Sequence, residues 1–185
     1  MASLMAYDPA TELHKMPVGE VLERLRALKV DLVVISGGEP LSQQRRLIML
    51  LRQLGAEGIA VEMETNGTHV PGPELCQLVR RFVVSPKLSH SGDPLQRRLR
   101  PTALAAFRDC GRAEFKFVVQ SVSDLDEVAH IVEQNRLTPV WIMPEGKQPS
   151  EVLSTLSEIA DSVVQRRWNL TSRLHILAWG DLRGV

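Results

Sequence analysis

The feature that most constrains the fold of this chain is an alternation of short apolar segments with amphipathic ones, which recurs about every 25 residues. The apolar segments have the length and composition of buried strands, and hydrophobic residues in the intervening segments repeat at helical spacing. Strands that alternate with helices are typical of βαβ units and of a mostly parallel sheet. The pattern therefore predicts one α/β domain over residues 1–185, built as either an open doubly wound sheet or an incomplete barrel.

Six strands and six helices are predicted along the chain. The strands are DLVVI, GIAVEME, RFVVS, AEFKFVV, TPVWIM and RLHILAW. The helices are VGEVLERLRAL, RRLIMLLRQLG, PELCQLVRR, PTALAAFRDC, DLDEVAHIVEQN and PSEVLSTLSEIADSVVQRR. Gly55 is predicted to end the second of these helices, and Ser123 is predicted to cap the fifth.

Composition gives no general case for a nucleic-acid or membrane partner. The 185 residues include 22 Lys plus Arg and 22 Asp plus Glu, so the formal net charge is zero. No apolar run approaches the ~20 residues of a transmembrane helix, and MASLMAYDPATELHKM lacks the pattern of a signal peptide. We therefore expect a cytoplasmic protein without direct nucleic-acid or membrane contact, and we interpret Arg97, Arg98 and Arg100 as a solvated surface.

Polar residues and glycines follow the predicted strands at the points where the strands end. They form the segments SGGEP, ETNGT, SPKLSHSGD and MPEG, after the first, second, third and fifth strands. Because the carboxyl ends of parallel strands lie at one edge of a sheet or barrel, these segments should meet there. This rim is therefore the candidate functional site.

The SGGEP segment has residues suited to a ligand with an amino-acid end. Gly37 and Gly38 can adopt positive φ and let backbone N–H and C=O groups approach a ligand closely. Glu39 offers a carboxylate to an ammonium or hydroxyl group, and Pro40 can open the following helix. The same residues also suit a plain strand-to-helix turn.

Two lysines are further candidates. Lys116 lies within an apolar strand between Phe115 and Phe117, so its ammonium group needs an ionic partner or a polar cavity. Lys87 follows the third strand and is expected at the same rim.

The remaining candidates are ambiguous by themselves. Glu64 and Thr65 either face a ligand or cap the turn that Asn66 begins. We interpret His90 as a turn residue. His175 alternates with apolar neighbours in the last predicted strand and is expected to face the rim.

Taken in order, SGGEP, ETNGT, VSPK, KFVV, MPEG and LHILAWGDLRGV resemble the 7-carboxy-7-deazaguanine synthases of the radical S-adenosylmethionine superfamily. GGEP alone indicates only the superfamily, whereas the six segments together are more specific, and the resemblance covers residues 6–185. It implies an incomplete (β/α)6-type barrel of about six mostly parallel strands with helices outside. The first strand and the cluster loop of the family would be missing.

The resemblance implies a reaction in queuosine and 7-deazapurine biosynthesis. The family contracts 6-carboxy-5,6,7,8-tetrahydropterin to 7-carboxy-7-deazaguanine with loss of ammonia, which makes its members lyases. A 4Fe–4S cluster cleaves S-adenosylmethionine reductively, the 5′-deoxyadenosyl radical takes a hydrogen atom from the substrate, and Mg²⁺ assists the rearrangement. The implied partners are an electron donor such as flavodoxin or ferredoxin and a second copy of the chain in a homodimer.

The resemblance also assigns binding roles to residues, because in such enzymes the cofactor carries the difficult chemistry. The implied residues for S-adenosylmethionine are Gly37, Gly38, Glu39, Glu64, Asn66, Ser85, Pro86, Lys87, Met143, Pro144 and Glu145. The implied substrate contacts are Ser36, Lys116, His175, Arg183 and Val185. No catalytic residue and no metal ligand is assigned.

The chain departs from the family at the iron–sulfur cluster. Three thiolates in a CxxxCxxC-type loop hold the cluster in the family, but this chain has two cysteines, Cys76 and Cys110. Their spacing matches no metal or disulfide motif, and we expect both to be reduced thiols. A magnesium-binding threonine and a substrate-binding arginine of the family are missing too, and AYDPATELHKM resembles the segment that follows the cluster loop.

Three interpretations remain open from the sequence. The chain is a fragment of the enzyme that is inactive alone, or a cluster-free protein that binds S-adenosylmethionine or a deazapurine or serves as a partner subunit. The third is an unrelated α/β protein that uses the same turns. The first predicts an unpaired strand edge, and therefore poor solubility or self-association.

Overall fold

The computed structural model describes residues 14–182 and contains one six-stranded sheet. The strands are β1 (Leu32–Ile35), β2 (Ala60–Thr65), β3 (Arg81–Val84), β4 (Ala113–Val119), β5 (Val140–Pro144) and β6 (Asn169–Leu170). All neighbouring strands are parallel, and their order in the sheet is their order in the chain. A sequential order is that of a barrel rather than of a doubly wound sheet, whose order reverses. The predicted α/β fold of barrel type is confirmed, with the sheet open.

Helices connect the strands largely as predicted. They are α1 (Val18–Leu28), α2 (Gln44–Ala56), α3 (Pro73–Leu78), α4 (Leu95–Arg98), α5 (Pro101–Cys110), α6 (Asp124–Asn135), α7 (Pro149–Gln165) and α8 (Leu174–Trp179). Pro40 begins a 3₁₀ turn, as its fixed φ favours. Gly55 does not end α2, which continues to Ala56, and the side chain of Ser123, which precedes α6, accepts no capping hydrogen bond. None of the helices in the described part of the chain is long and apolar enough to cross a membrane.

The sheet has one buried face and one open face. Phe115, Phe117 and Val119 on β4 are completely buried, whereas the alternate residues Glu114 and Lys116 are partly exposed. Because side chains alternate across a strand, the first set packs in the hydrophobic core with the helices and the second set projects from the open face. Polar side chains of the sheet therefore gather on a face that the helices leave accessible.

The prediction of RLHILAW as the last strand is wrong. The sixth strand is the short Asn169–Leu170, and Leu174–Trp179 forms helix α8. Only Ile176 of this helix is buried, and His175 is exposed. Hydrophobic alternation over so few residues fits both the helical repeat of ~3.6 residues and the strand repeat of two residues. Ile176 is the only β-branched residue in the segment, so its composition does not favour a strand.

Candidate functional site

A cavity of about 320 Å³, here called the rim cavity, lies where the strands end on the open face. Its wall consists of Ser36, Gly37, Gly38, Glu64, Thr65, Asn66, Ser85, Lys87, Lys116, Val118 and Met143. All but Thr65 and Val118 belong to the predicted binding residues. Strand alternation could have identified Val118, because it follows Lys116 by two residues on the same face.

The two glycines after β1 need their special backbone conformation. Gly37 has φ 90° and Gly38 has φ 52°, in the region that residues with a Cβ rarely adopt. A Cβ added to either would meet no atom within 4 Å. The space beside this backbone is therefore open, as a bound ligand would require.

The carboxylate of Glu39 is directed into the protein. Its Oε1 accepts hydrogen bonds from the Leu41 N–H at 3.0 Å and from Thr65 Oγ1 at 2.7 Å. Its Oε2 accepts from the Asn66 N–H at 2.8 Å. Glu39 therefore joins the loop after β1 to the loop after β2, and it does not line the rim cavity.

Glu64, Ser36 and Lys116 form a charged cluster in the rim cavity. Lys116 Nζ donates to Glu64 Oε1 at 3.1 Å, and Ser36 Oγ donates to Glu64 Oε2 at 3.1 Å. Burial opposes ionisation of Glu64, but the hydrogen bonds and charge of Lys116 and the bond from Ser36 outweigh it, so the pKa lies below its ordinary value. The predicted need of Lys116 for an ionic partner in a polar cavity is confirmed.

The loop after β2 packs tightly against the core. Gly67 has φ 75°, and a Cβ there would lie 2.7 Å from Val84 Cγ1. Thr65 is buried, and its Oγ1 accepts from the Gly67 N–H at 3.2 Å. Asn66 Oδ1 accepts from the Thr68 N–H at 2.9 Å. These bonds fix the loop that brings Asn66 to the rim.

An ion pair between a buried arginine and a partly buried glutamate holds the loop after β3. Arg98 Nη1 lies 2.7 Å from Glu127 Oε1 and donates to the Lys87 carbonyl at 3.0 Å. Glu127 Oε2 accepts from the N–H of Ser89 at 3.0 Å and from its Oγ at 2.6 Å. The interpretation of Arg98 as part of a solvated surface is wrong, because only 8% of its side chain is exposed to solvent.

A neighbouring cavity of about 390 Å³ extends the rim beyond Met143 and shares Lys87 with the rim cavity. Glu145 and Pro86 line this second space. Glu145 Oε2 accepts from Gln120 Nε2 at 2.8 Å and lies 3.8 Å from His90 Nε2. His90 thus contacts acidic residues of the rim rather than acting only as a turn residue.

Among the residues that the structure describes, three predicted binding residues do not line these cavities, namely Glu39, Pro144 and His175. Pro144 is buried on the other side of the sheet, and His175 lies on the exposed surface of α8 because its segment is a helix. Arg183 and Val185 lie outside the described residues.

The two cysteines line neither cavity. Burial and the neighbouring Cys110 raise the pKa of the Cys76 thiol to about 11. Both are free thiols, on helices α3 and α5. Residues 14–182 contain no group of three His, Cys, Asp or Glu side chains that could hold a metal ion.

Three relatives that each match most of this chain are 7-carboxy-7-deazaguanine synthases. A comparison with protein-family models finds no match. The 7-carboxy-7-deazaguanine synthase of Pyrobaculum aerophilum is 38% identical over 177 residues, covering 92% of this chain and 75% of the relative. The synthase of Hyperthermus butylicus is 37% identical over 167 residues, covering 86% and 70%. The crystal structure of QueE from Escherichia coli has a TM-score of 0.60 at 22% identity, covering 90% and 72%, which supports the fold.

Proposed function

The chain belongs to the 7-carboxy-7-deazaguanine synthases, a family of radical S-adenosylmethionine enzymes, and from this premise we propose that its rim binds S-adenosylmethionine beside a carboxylated pterin. The observation that carries the proposal is the cluster of Ser36, Glu64 and Lys116 beside Gly37 and Gly38. One cavity therefore contains both charged side chains and exposed backbone groups. The proposed reaction is contraction of 6-carboxy-5,6,7,8-tetrahydropterin to 7-carboxy-7-deazaguanine with loss of ammonia, in the 7-deazapurine pathway.

The residues present fit S-adenosylmethionine. Open backbone at Gly37 and Gly38 suits its amino-acid end, while Glu64 or Ser85 can accept from ribose hydroxyl groups. Met143 and Glu145 lie further along the rim, where the adenine would extend. On one-electron reductive cleavage, with release of methionine, bound S-adenosylmethionine would supply a 5′-deoxyadenosyl radical. The proposed role of the protein is to orient it and exclude water.

Lys116 is the proposed contact for the substrate carboxylate. Its ammonium group already lies 3.1 Å from one carboxylate oxygen, that of Glu64. Because the pKa of Glu64 is lowered, its carboxylate is ionised at neutral pH and can accept hydrogen bonds from N–H groups of a substrate. Glu39, in contrast, supports the site by joining its loops.

A 4Fe–4S cluster does not fit the cysteines of this chain. The sequence has two cysteines where the cluster needs three thiolates, and both lie away from the rim cavity. An electron donor such as flavodoxin or ferredoxin and a homodimeric partner remain proposals that follow from the family.

The missing thiolates favour a second candidate function for the chain by itself. It would bind S-adenosylmethionine or a deazapurine without a cluster, or serve as a partner subunit. Iron content distinguishes the candidates, because a cluster enzyme is brown and loses iron with its activity, whereas a cluster-free binder holds its ligand without iron.

The binding proposal is tested by titrating the purified chain with S-adenosylmethionine in a calorimeter. We expect binding in the wild type and at least a tenfold loss in Gly38→Ala, because alanine strains this loop by ~1–2 kcal/mol and crowds the open backbone. Gly58→Ala is the matched control, since Gly58 also has positive φ and open space but lies before β2. Equal losses in both variants, or no binding in the wild type, would contradict the proposal.

A further inference from the structure

The two cysteines of the chain lie on neighbouring helices, away from the rim. Cys76 belongs to α3, which leads into β3, and Cys110 is the last residue of α5, which leads into β4. These strands are adjacent in the sheet, with Phe82 paired to Ala113 near their starts. Because each cysteine lies a few residues before its strand, the fold brings both towards the edge of the sheet that is opposite the rim.

Arg112 connects the ends of the two helices. It lies two residues after Cys110, and its Nη1 donates to the carbonyls of Gln77 and Val79, each at 2.9 Å. Gln77 is the residue that follows Cys76. The two cysteines are thus flanked by segments that are bonded to each other, which places them close together in space although they are distant in the sequence.

The two thiols are neighbours at this position. Burial, and after it the Cys110 thiol within hydrogen-bonding reach, raise the pKa of the Cys76 thiol to about 11. Both cysteines are free and only partly buried, so a small reagent can reach them. Two accessible thiols in contact are the arrangement from which thiol–disulfide exchange can close a disulfide.

We infer that Cys76 and Cys110 are a redox-sensitive pair, which closes to an intramolecular disulfide under oxidising conditions and ties α3 to α5. The oxidant is a small disulfide such as oxidised glutathione. The thiolate of one cysteine attacks it and releases one glutathione, and the thiolate of the other cysteine then displaces the second. The protein loses two S–H bonds and gains one S–S bond, and the two protons pass to the two molecules of reduced glutathione.

The disulfide stabilises the folded chain. It closes a loop of about 35 residues, and a cross-link of this kind lowers the conformational entropy of the unfolded chain. The same free energy favours the disulfide in the folded chain over the unfolded chain, in which nothing holds the thiols together. Neither cysteine lines the rim cavity or the cavity beside it, so the cross-link acts on the stability of the fold.

The first test measures the thiol–disulfide equilibrium of the full chain in glutathione buffers at about pH 8.5, because the raised pKa of Cys76 leaves little thiolate at neutral pH. Mass spectrometry quantifies the Cys76–Cys110 cross-linked peptide in the native chain and in the chain unfolded in urea. We expect an equilibrium constant at least ~30-fold larger for the native chain. A constant no larger than that of the unfolded chain, or native thiols that form only mixed disulfides with glutathione, would overturn the inference.

The second test compares melting temperatures of the oxidised and reduced chain at low protein concentration. We expect the oxidised chain to melt about 5–15 °C higher, and a non-reducing gel should show a monomer. The double variant Cys76→Ser, Cys110→Ser is the control, because it cannot close the bond and should melt at one temperature in both buffers. An unshifted wild type, an equal shift in the double variant, or a covalent dimer as the product would each count against an intramolecular pair.

Discussion

At the residue scale, the hydroxyl of Thr65 and the carboxylate of Glu39 connect two loops of the rim. Thr65 donates to Glu39 at 2.7 Å and accepts from the Gly67 N–H at 3.2 Å. Both Gly38 and Asn66, which adjoin these residues in the chain, line the rim cavity. The buried hydroxyl therefore contributes to the relative position of the SGGEP and ETNGT segments, together with the Asn66 N–H, which also donates to Glu39.

Replacement of Thr65 by valine tests this connection. The variant keeps the shape of the side chain but loses one donor and one acceptor, so we expect a stability loss of about 1–2 kcal/mol and weaker S-adenosylmethionine binding. Thr65→Ser should restore much of both, because it keeps the hydroxyl. Thr155→Val on α7 is a control outside the rim. If Thr65→Ser binds as poorly as the valine variant, the hydroxyl is not what positions the loops. The measurements are urea denaturation and calorimetry.

At the element scale, side chains from the helices hold the loops that follow the strands. The loop after β3 is the clearest case, because Arg98 from α4 binds the Lys87 carbonyl and Glu127 from α6 binds Ser89. The Arg98 and Glu127 side chains also form an ion pair with each other. Helices on the outside of the sheet thus position a loop at its rim.

Glu127→Gln should destabilise the protein by about 1–3 kcal/mol near neutral pH, because the buried Arg98 loses its counter-ion. Burial opposes ionisation of Glu127, but hydrogen bonds from Ser89 and the Arg98 charge lower its pKa. Its stabilisation is therefore complete above the pKa of the unfolded chain and is lost as the pH falls through the lower folded-state pKa.

The measurement is the free energy of unfolding of wild type and Glu127→Gln from neutral pH to about pH 3. The difference between them should shrink as the pH falls. Glu133→Gln is the control, since Glu133 is an exposed residue of the same helix. A difference that stays constant with pH would show that the charge of Glu127 contributes nothing.

At the scale of the whole molecule, the sheet is open at β1. Within residues 14–182 this strand pairs with β2 alone, and Leu32 and Val34 are 40% and 53% exposed. An apolar strand edge of this kind is a template for pairing with another chain. The sheet that presents the rim therefore also presents a surface for association.

We expect the chain to self-associate at high concentration, and Val34→Lys to reduce this association by placing a charge on the edge strand. Sedimentation velocity measures both. Leu153→Lys is the control, because it removes a comparable exposed apolar side chain from α7. A wild type that sediments as a monomer at high concentration would contradict the prediction, and equal effects of the two variants would assign association to general hydrophobicity.

The α/β class, most element positions and most of the rim residues follow from the amino-acid sequence, whereas the pattern left the doubly wound sheet and the barrel open and the barrel was implied by the family resemblance. Hydrophobic periodicity can be read from short segments of sequence, and the carboxyl ends of parallel strands always lie at one edge of the sheet. Gly37, Glu64 and Lys116 could therefore be assigned to one site from the sequence. The segment Leu174–Trp179 was predicted as a strand but is a helix, because its hydrophobic pattern is too short to distinguish a strand from a helix.

The contacts between side chains depend on how the elements pack. Glu39 bonds to Thr65, Arg98 pairs with Glu127, and Trp141 stands beside Lys116. The residues in each of these pairs are distant in the sequence, and local sequence patterns do not predict which distant residues will be in contact. The choice depends on strand register and on helix packing, because these set the directions in which side chains of separate elements converge.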